Sequence, residues 1–172
     1  QLISNMGKSI LITVGTTGFD DLIEVISSKP FAEALSTLGY SRITVQYGSS
    51  IRKYSEEFLR QLNISIVSFD YCDSLEPYFD AIDVVIGHAG AGTILGTLRH
   101  KKQLIAVVNE QLMGNHQHEI ADAMESGHYL IKATPATVIE ALKSLPSASL
   151  KQYPEAHPER FTQFVSQQMG FS

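Results

Sequence analysis

Six short runs of apolar, mostly β-branched residues are spaced along the chain, and a glycine or a polar residue follows each of them. Within a run the apolar residues are close to continuous instead of alternating strictly with polar ones. Strands of a parallel sheet that is covered on both faces have this pattern. The runs therefore predict strands over residues 9–14, 43–47, 64–69, 83–86, 104–108 and 129–131.

Segments with apolar residues at helical spacing lie between these runs, so strands and helices alternate along the chain. A helix is predicted to begin at Asp20 and to be interrupted at Pro30, and another covers His116 to Ser126. Thr134 and Pro135 are predicted as the N-cap and first residue of a further helix. The alternation predicts an α/β fold, a Rossmann-like doubly wound parallel sheet of about six strands.

The end of the chain has a different pattern, in which prolines follow Tyr153 and His157. A helix is predicted over 159–169 with its apolar residues on one face. We therefore expect a domain over residues 6–146, followed over 147–172 by a proline-punctuated tether and a C-terminal amphipathic helix. Such a helix docks either on its own domain or on a partner.

Composition narrows the class of protein further. The 172 residues include 13 basic and 18 acidic side chains, a net charge of −5, which argues against sequence-independent binding to nucleic acid or to an anionic membrane. Cys72 is the single cysteine and predicts a reducing compartment. No apolar run approaches the roughly 20 residues that a membrane span needs. We expect a soluble, cytoplasm-facing chain with no direct membrane span and no nucleic-acid partner.

Two glycine-rich loops follow predicted strands at the edge where open parallel sheets bind ligands. Residues 15–18 combine two glycines with two threonines, and residues 87–93 contain three glycines, His88 and a threonine. Small residues let a diphosphate approach backbone N–H groups at a helix N-terminus. Neither loop matches the lysine-bearing P-loop. The alternative for His88 is a core histidine bonded to a carbonyl, but its place in a glycine-rich turn favours a functional role.

A third loop, residues 109–119, is crowded with polar side chains that both donate and accept hydrogen bonds. Such side chains suit recognition of sugar hydroxyls, and the alternative is a solvated loop that caps the next helix. Although His116, His118 and Glu119 are close in sequence, the two histidines are two residues apart and face different sides of a helix. No metal site is expected.

Three segments together resemble a known family: TVGTTGFDDLI, GHAGAGTI and NEQLMGNHQHEIA. In this order and spacing they are similar to the Alg13 family, the catalytic subunits of the eukaryotic UDP-N-acetylglucosamine transferase. The wider group is the GT-B glycosyltransferases related to MurG, in which two Rossmann-like halves face a cleft. The resemblance covers essentially the whole chain and implies a single C-terminal-type half, which binds the nucleotide sugar.

The resemblance also implies an activity and a setting. The family transfers N-acetylglucosamine from UDP-GlcNAc to GlcNAc-diphosphodolichol, the second step of lipid-linked oligosaccharide synthesis for N-glycosylation. It inverts the anomeric carbon and uses no cofactor. The acceptor half is a separate membrane-anchored subunit, Alg14, which recruits the donor subunit from the cytoplasm to the cytosolic face of the endoplasmic reticulum membrane. The C-terminal helix is a candidate for that docking.

Roles carried over from the family are residue-specific expectations. His88 and His116 are the catalytic candidates, while the general base is either His116 or a residue of the partner. Gly96 stands where relatives commonly carry a polar side chain that holds the ribose, so Glu110 or a backbone group must substitute. The UDP-GlcNAc-binding set is expected to comprise Gly15, Thr16, Thr17 and Gly18 on the diphosphate and acceptor side; His88, Gly90, Gly92 and Thr93 at the UDP diphosphate; Asn109 and Glu110; and Asn115, His116, Gln117 and Glu119 at the GlcNAc.

Two other functions stay open on the sequence. One is a non-catalytic module that binds a UDP-sugar and docks on another protein, which the glycines at 96 and 114 favour. The other is a split glycosyltransferase that acts on a different lipid-linked acceptor.

Overall fold

Six parallel strands form a single sheet in the computed structural model, which describes residues 7–111, 116–154 and 166–167, with the side chains of 116 and 117 left out. The strand order is β3-β2-β1-β4-β5-β6. This confirms the predicted doubly wound parallel sheet, and every predicted strand is present with its ends shifted by no more than three residues. The strands are β1 (Lys8–Thr13), β2 (Tyr40–Gln46), β3 (Ser65–Phe69), β4 (Val84–His88), β5 (Gln103–Val107) and β6 (Ile131–Ala133).

Helices connect successive strands, as the alternation predicts. One of them, α2, is missing from the sequence prediction because Pro30 was interpreted only as an interruption. In the structure Pro30 lies in the first turn of α2, and the Ser28 side chain caps it by accepting from the Phe31 N–H at 3.4 Å. The helices are α1 (Asp20–Ile26), α2 (Lys29–Thr37), α3 (Glu57–Gln61), α4 (Glu76–Phe79), α5 (Ala91–Arg99), α6 (His116–Ser126) and α7 (Val138–Ser144), and a 3-10 turn follows at Leu145–Ser147.

The predicted start of the last of these helices is wrong. Thr134 and Pro135 lie in a turn, closed by the Thr137 N–H donating to the Thr134 carbonyl at 3.0 Å. The Thr137 hydroxyl accepts from the Thr134 N–H at 2.9 Å, and α7 begins one residue later at Val138. The turn occupies the hydrogen-bonding groups that a cap at Thr134 needs.

The core consists of two apolar clusters, one on each face of the sheet. Along β1, Ile10 and Ile12 belong to one cluster while Leu11 belongs to the other, and all three are fully buried. This is the two-faced burial that the continuous apolar runs predict. Leu150 and Tyr153 extend this packing past the last helix. The C-terminal helix predicted over 159–169 falls almost entirely outside the described residues.

The strand order sets where a ligand can bind. From β1 the chain proceeds outward through β2 and β3, and it then returns to place β4 on the other side of β1. In such sheets the loops that follow the two central strands separate at their carboxyl ends and leave a crevice. The loops after β1 and β4 are the two glycine-rich loops of the sequence.

Within the part of the chain that is described, no helix is both long and apolar enough to cross a bilayer.

Candidate functional site

His88 is the last residue of β4, and its imidazole lies between the two glycine-rich loops. A methyl group added at Gly90 would lie 2.4 Å from His88 Cε1, and one added at Gly15 would lie 2.9 Å from His88 Nε2. Only glycine leaves room for the ring at these two positions. The structure therefore brings together Gly15, His88 and Gly90, which the sequence analysis assigned to one site.

The hydrogen bonding of His88 differs from that of a core histidine bonded to a carbonyl. Its Nε2 lies 3.0 Å from the Thr93 hydroxyl, within the same glycine-rich segment. Burial of the ring lowers the pKa of His88 below its ordinary value, so the imidazole is neutral near pH 7. A neutral ring has one donor and one acceptor nitrogen, and it can therefore hydrogen-bond a ligand without carrying a charge of its own.

The first turn of α5 is open to a ligand next to this ring. Gly90 takes the N-cap position with an extended backbone, and no side chain caps the helix. The N–H groups of the first turn have no partner inside the helix and carry the positive end of the helix dipole. Ala91 and Gly92 are exposed, and a methyl group added at Gly92 would meet nothing within 4 Å. A nine-residue helix thus presents backbone donors beside His88.

The loop after β1 is held in shape by a loop after β2. Gly15 and Gly18 both have a positive φ, at +71° and +91°, which glycine adopts without strain. The Phe19 N–H donates to the Ser50 hydroxyl at 2.8 Å, and the Ser49 hydroxyl donates to the Thr17 carbonyl. The exposed threonine side chains at positions 16 and 17 are consequently carried on a fixed backbone.

Ser49 and Ser50 are supporting residues that the sequence analysis missed. A methyl group added at Gly18 would lie 2.4 Å from Ser49 Oγ, and one at Gly48 would lie 2.9 Å from both the Gly15 carbonyl oxygen and the Gly18 nitrogen. The signal available in the sequence was the Gly48-Ser49-Ser50 run directly after a predicted strand, which is a further set of small residues at the ligand-binding edge.

The third polar loop reaches the same edge. The Gln111 amide nitrogen donates to Asp21 Oδ2 at 3.1 Å, joining the loop after β5 to the first turn of α1. Asn109 Oδ1 accepts from the Gln111 backbone N–H at 3.1 Å, and Glu110 is exposed. Half-buried Glu119 lies in the first turn of α6. Asn115 lies outside the described residues, as do the side chains of His116 and Gln117.

Gly96 lies on the side of α5 that faces α4. A methyl group there would make ordinary contact with the Phe79 ring, 3.7 Å from Cζ, and the Gly96 carbonyl is 2.7 Å from His100 Nδ1. Position 96 therefore offers no polar side chain to a ligand.

Among the described residues, no three His, Cys, Asp or Glu side chains are grouped to hold a metal ion.

Comparison with known proteins agrees with this arrangement. Residues 9–168 match the model of the glycosyltransferase family 28 C-terminal domain. The UDP-N-acetylglucosamine transferase subunit ALG13 of Yarrowia lipolytica is 35% identical over 147 residues, which are 84% of this chain and 75% of that protein. The chain belongs to the Alg13 family. The human ALG13 protein is 39% identical over 127 residues, 74% of this chain but only 11% of the much longer human protein.

Solved structures show the same fold. An NMR structure of ALG13 superposes with a TM-score of 0.74 at 25% identity and covers 98% of this chain and 100% of that one. MurG of Acinetobacter baumannii superposes with a TM-score of 0.63 at 19% identity, and the match covers 98% of this chain but 46% of MurG. The expected fold, one half of a GT-B glycosyltransferase, is confirmed. So is the expectation that this Alg13 family member is a UDP-N-acetylglucosamine transferase subunit.

Proposed function

We propose that the crevice at the carboxyl edge of the sheet binds UDP-GlcNAc, and that this chain transfers GlcNAc to GlcNAc-diphosphodolichol with a membrane-anchored partner subunit, Alg14. The observation that carries this proposal is the placement of His88 between Gly15 and Gly90, beside the open first turn of α5. The family of the chain supplies the identity of the donor. The position of the crevice between β1 and β4 supports its use by a nucleotide.

The diphosphate of the donor is the group that α5 and His88 suit best. Backbone donors at a helix N-terminus favour an anion, and Thr93 and Gly92 lie in that first turn. In the reaction, an acceptor hydroxyl oxygen bonds to the anomeric carbon while the bond from that carbon to the UDP phosphate oxygen breaks. UDP leaves with the bonding electron pair. A neutral His88, which donates a hydrogen bond, and the helix N-terminus stabilise the negative charge that grows there.

The proton of the acceptor hydroxyl requires a general base, because the family inverts the anomeric carbon. That base is either His116 or a residue of the partner. The remaining donor contacts follow the family motif: Asn115 and Gln117 with Glu119 at the sugar, and Glu110 or a backbone group at the ribose. The proximity of Gln111 to Asp21 supports placing this loop over the same crevice.

The partner supplies what half of a cleft lacks. A single Rossmann-like half can neither exclude water from the reacting atoms nor orient two substrates. Thr16 and Thr17 are exposed on the rigid loop after β1 and suit the acceptor side. We propose that the partner binds the lipid-linked acceptor and recruits this chain to the cytosolic face of the endoplasmic reticulum membrane, with the C-terminal segment as its docking element.

One observation favours the alternative of a binding module without catalysis. Gly96 contacts Phe79 and brings no side chain to the ribose, so donor affinity rests on other groups. A donor held weakly is compatible with a subunit that only binds and docks.

Replacing His88 by alanine tests the proposal. In the complex reconstituted with the membrane subunit, His88→Ala is expected to lower transfer of labelled GlcNAc by at least about a hundredfold, the scale of losing a donor that stabilises a leaving charge. Recovery of the partner in a pull-down is expected to stay unchanged, because the proposed docking element is the C-terminal segment and not His88.

The matched control is His128→Ala, which removes an exposed histidine from the opposite, amino edge of the sheet. Transfer by this variant is expected to equal that of the unmodified complex. Full activity of His88→Ala would contradict the diphosphate role. Absence of transfer in the unmodified complex, with UDP-GlcNAc binding retained, would favour the binding module or another acceptor.

A further inference from the structure

A cavity of about 170 Å³ lies at the amino edge of the sheet, on the opposite side from the proposed donor site. Its location follows from two of its lining residues: Gln103 is the first residue of β5, and Tyr129 comes shortly before β6. Three lysines line it, Lys101, Lys102 and Lys151, and no carboxylate is present among the described residues of its lining. The cavity has room for a phosphate group with ordered water.

The lysines converge on the cavity from separate parts of the chain. Lys101 and Lys102 follow the last turn of α5, where the negative end of the helix dipole stabilises a cation. That explanation does not extend to Lys151, which belongs to the segment after α7. The Lys151 N–H donates to the His128 carbonyl at 2.7 Å, and this bond holds the segment against the cavity. The convergence is thus a property of the tertiary fold.

The backbone of Lys101 has a conformation that is uncommon for lysine. Its φ is +58°, a left-handed conformation that glycine commonly takes after a helix and that lysine adopts at a cost. The Lys102 N–H donates to the Thr97 carbonyl at 3.2 Å, which closes this helix end. The turn at position 101 ends α5 beside the cavity, and it brings Lys101 and Lys102 to the cavity wall.

A second cavity, of about 310 Å³, adjoins the first and shares Lys101 and Gln103 with it. Lys8 also lines this cavity, and Asp83 is the carboxylate there. Asp83 Oδ2 accepts from the Ser9 N–H at 2.8 Å, so one of its oxygens already has a backbone donor. The amino edge is therefore basic in a chain whose net charge is −5.

We propose that the cavity lined by Lys102 and Lys151 is a binding site for a phosphate ester. Lysine ammonium groups bind phosphate oxygens as point charges, and the rings of Tyr129 and Tyr153, which meet edge to face at 5.2 Å, form part of the cavity wall. The phosphate comes either from a free phosphate ester or from the headgroup of an anionic lipid. The site is independent of the donor crevice and of the reaction proposed for it.

The test uses the full chain, labelled with ¹⁵N, titrated with inorganic phosphate against sodium chloride at equal ionic strength. Saturable shifts are expected at the amides of residues 101–103 and 150–152. In the double variant Lys102→Gln/Lys151→Gln the dissociation constant is expected to rise at least about tenfold, since each lysine contributes a charge-assisted hydrogen bond. Lys151 is exposed and Lys102 is half-buried, so the variant is expected to fold, which thermal unfolding checks.

The control variant is Lys29→Gln/Lys143→Gln, which removes the same charge from two exposed lysines that pair with Glu33 and Glu140. It is expected to bind phosphate as the unmodified chain does. Vesicles of phosphatidylcholine with and without phosphatidic acid separate the two sources. If the ligand is a lipid headgroup, the chain floats only with vesicles that contain phosphatidic acid, and the Lys102→Gln/Lys151→Gln variant does not float with them. No saturable shift with phosphate and no preference for phosphatidic acid would overturn the proposal, as would equal weakening in both variants.

Discussion

At the scale of single residues, the glycines of the site matter for the space they leave as much as for the turns they make. Gly90 has an ordinary extended backbone, with φ −79° and ψ 144°, so any residue could adopt its conformation. What excludes a side chain is the His88 ring, 2.4 Å from a methyl group at this position. Gly90 therefore sets the position of the imidazole.

Gly90→Ala is expected to displace His88 and to lower GlcNAc transfer by at least about tenfold, because small misplacements of a reacting group have large kinetic effects. Thermal unfolding should change little, since the backbone conformation is allowed. Gly96→Ala is the control: its methyl group makes ordinary contact with Phe79, and alanine within α5 is expected to raise stability by about 0.5–1 kcal/mol. Undiminished transfer by Gly90→Ala would show that the site tolerates a moved imidazole.

At the scale of elements, the periodicity of the sequence was sufficient to predict the strands and the edge where the loops meet. Parallel strands place their carboxyl ends together, so the loops at 15, 87 and 109 had to share one edge. The contact of Gly15 with the His88 ring could not be predicted, because it joins residues 73 positions apart whose spacing depends on packing. Helix α2 was missed for a local reason, since a proline in the first turn starts a helix as readily as it ends one.

A buried polar pair joins the ends of β1 and β2 directly below the site. The Thr13 hydroxyl donates to Gln46 Oε1 at 2.6 Å, and its oxygen lies 3.3 Å from the Gly15 nitrogen, which donates to it. Both side chains are buried, so either one left alone loses its partner without gaining water. The pair couples the packing of two strands to the loop that borders His88.

Gln46→Leu and Thr13→Val are each expected to lower the free energy of unfolding by about 1–3 kcal/mol, the cost of one unsatisfied buried group. The double variant removes both polar groups and should lose less than the sum of the single losses, by at least about 0.5 kcal/mol. Urea unfolding of the four proteins gives the coupling directly. Strictly additive losses would show that the two side chains contribute independently of their hydrogen bond.

At the scale of the whole molecule, the proposed reaction site and a cluster of lysines lie at opposite edges of the sheet. The carboxyl edge carries the glycine loops and His88, while Lys8, Lys101, Lys102 and Lys151 lie at the amino edge. The net charge of −5 argued against binding to nucleic acid or to an anionic membrane. A sum over the chain does not register where the charges lie. The chain matches 46% of MurG, and we propose that the half facing its donor crevice is the partner subunit.

Transfer of labelled GlcNAc to a short-chain GlcNAc-diphospholipid should therefore depend on the membrane subunit. We expect product only when both subunits are mixed, because the acceptor and the exclusion of water both require the second half. Each subunit alone is the control, assayed at the same concentration and with the same donor. Product from this chain alone would place the acceptor site within it, and would contradict the division of the reaction between two subunits.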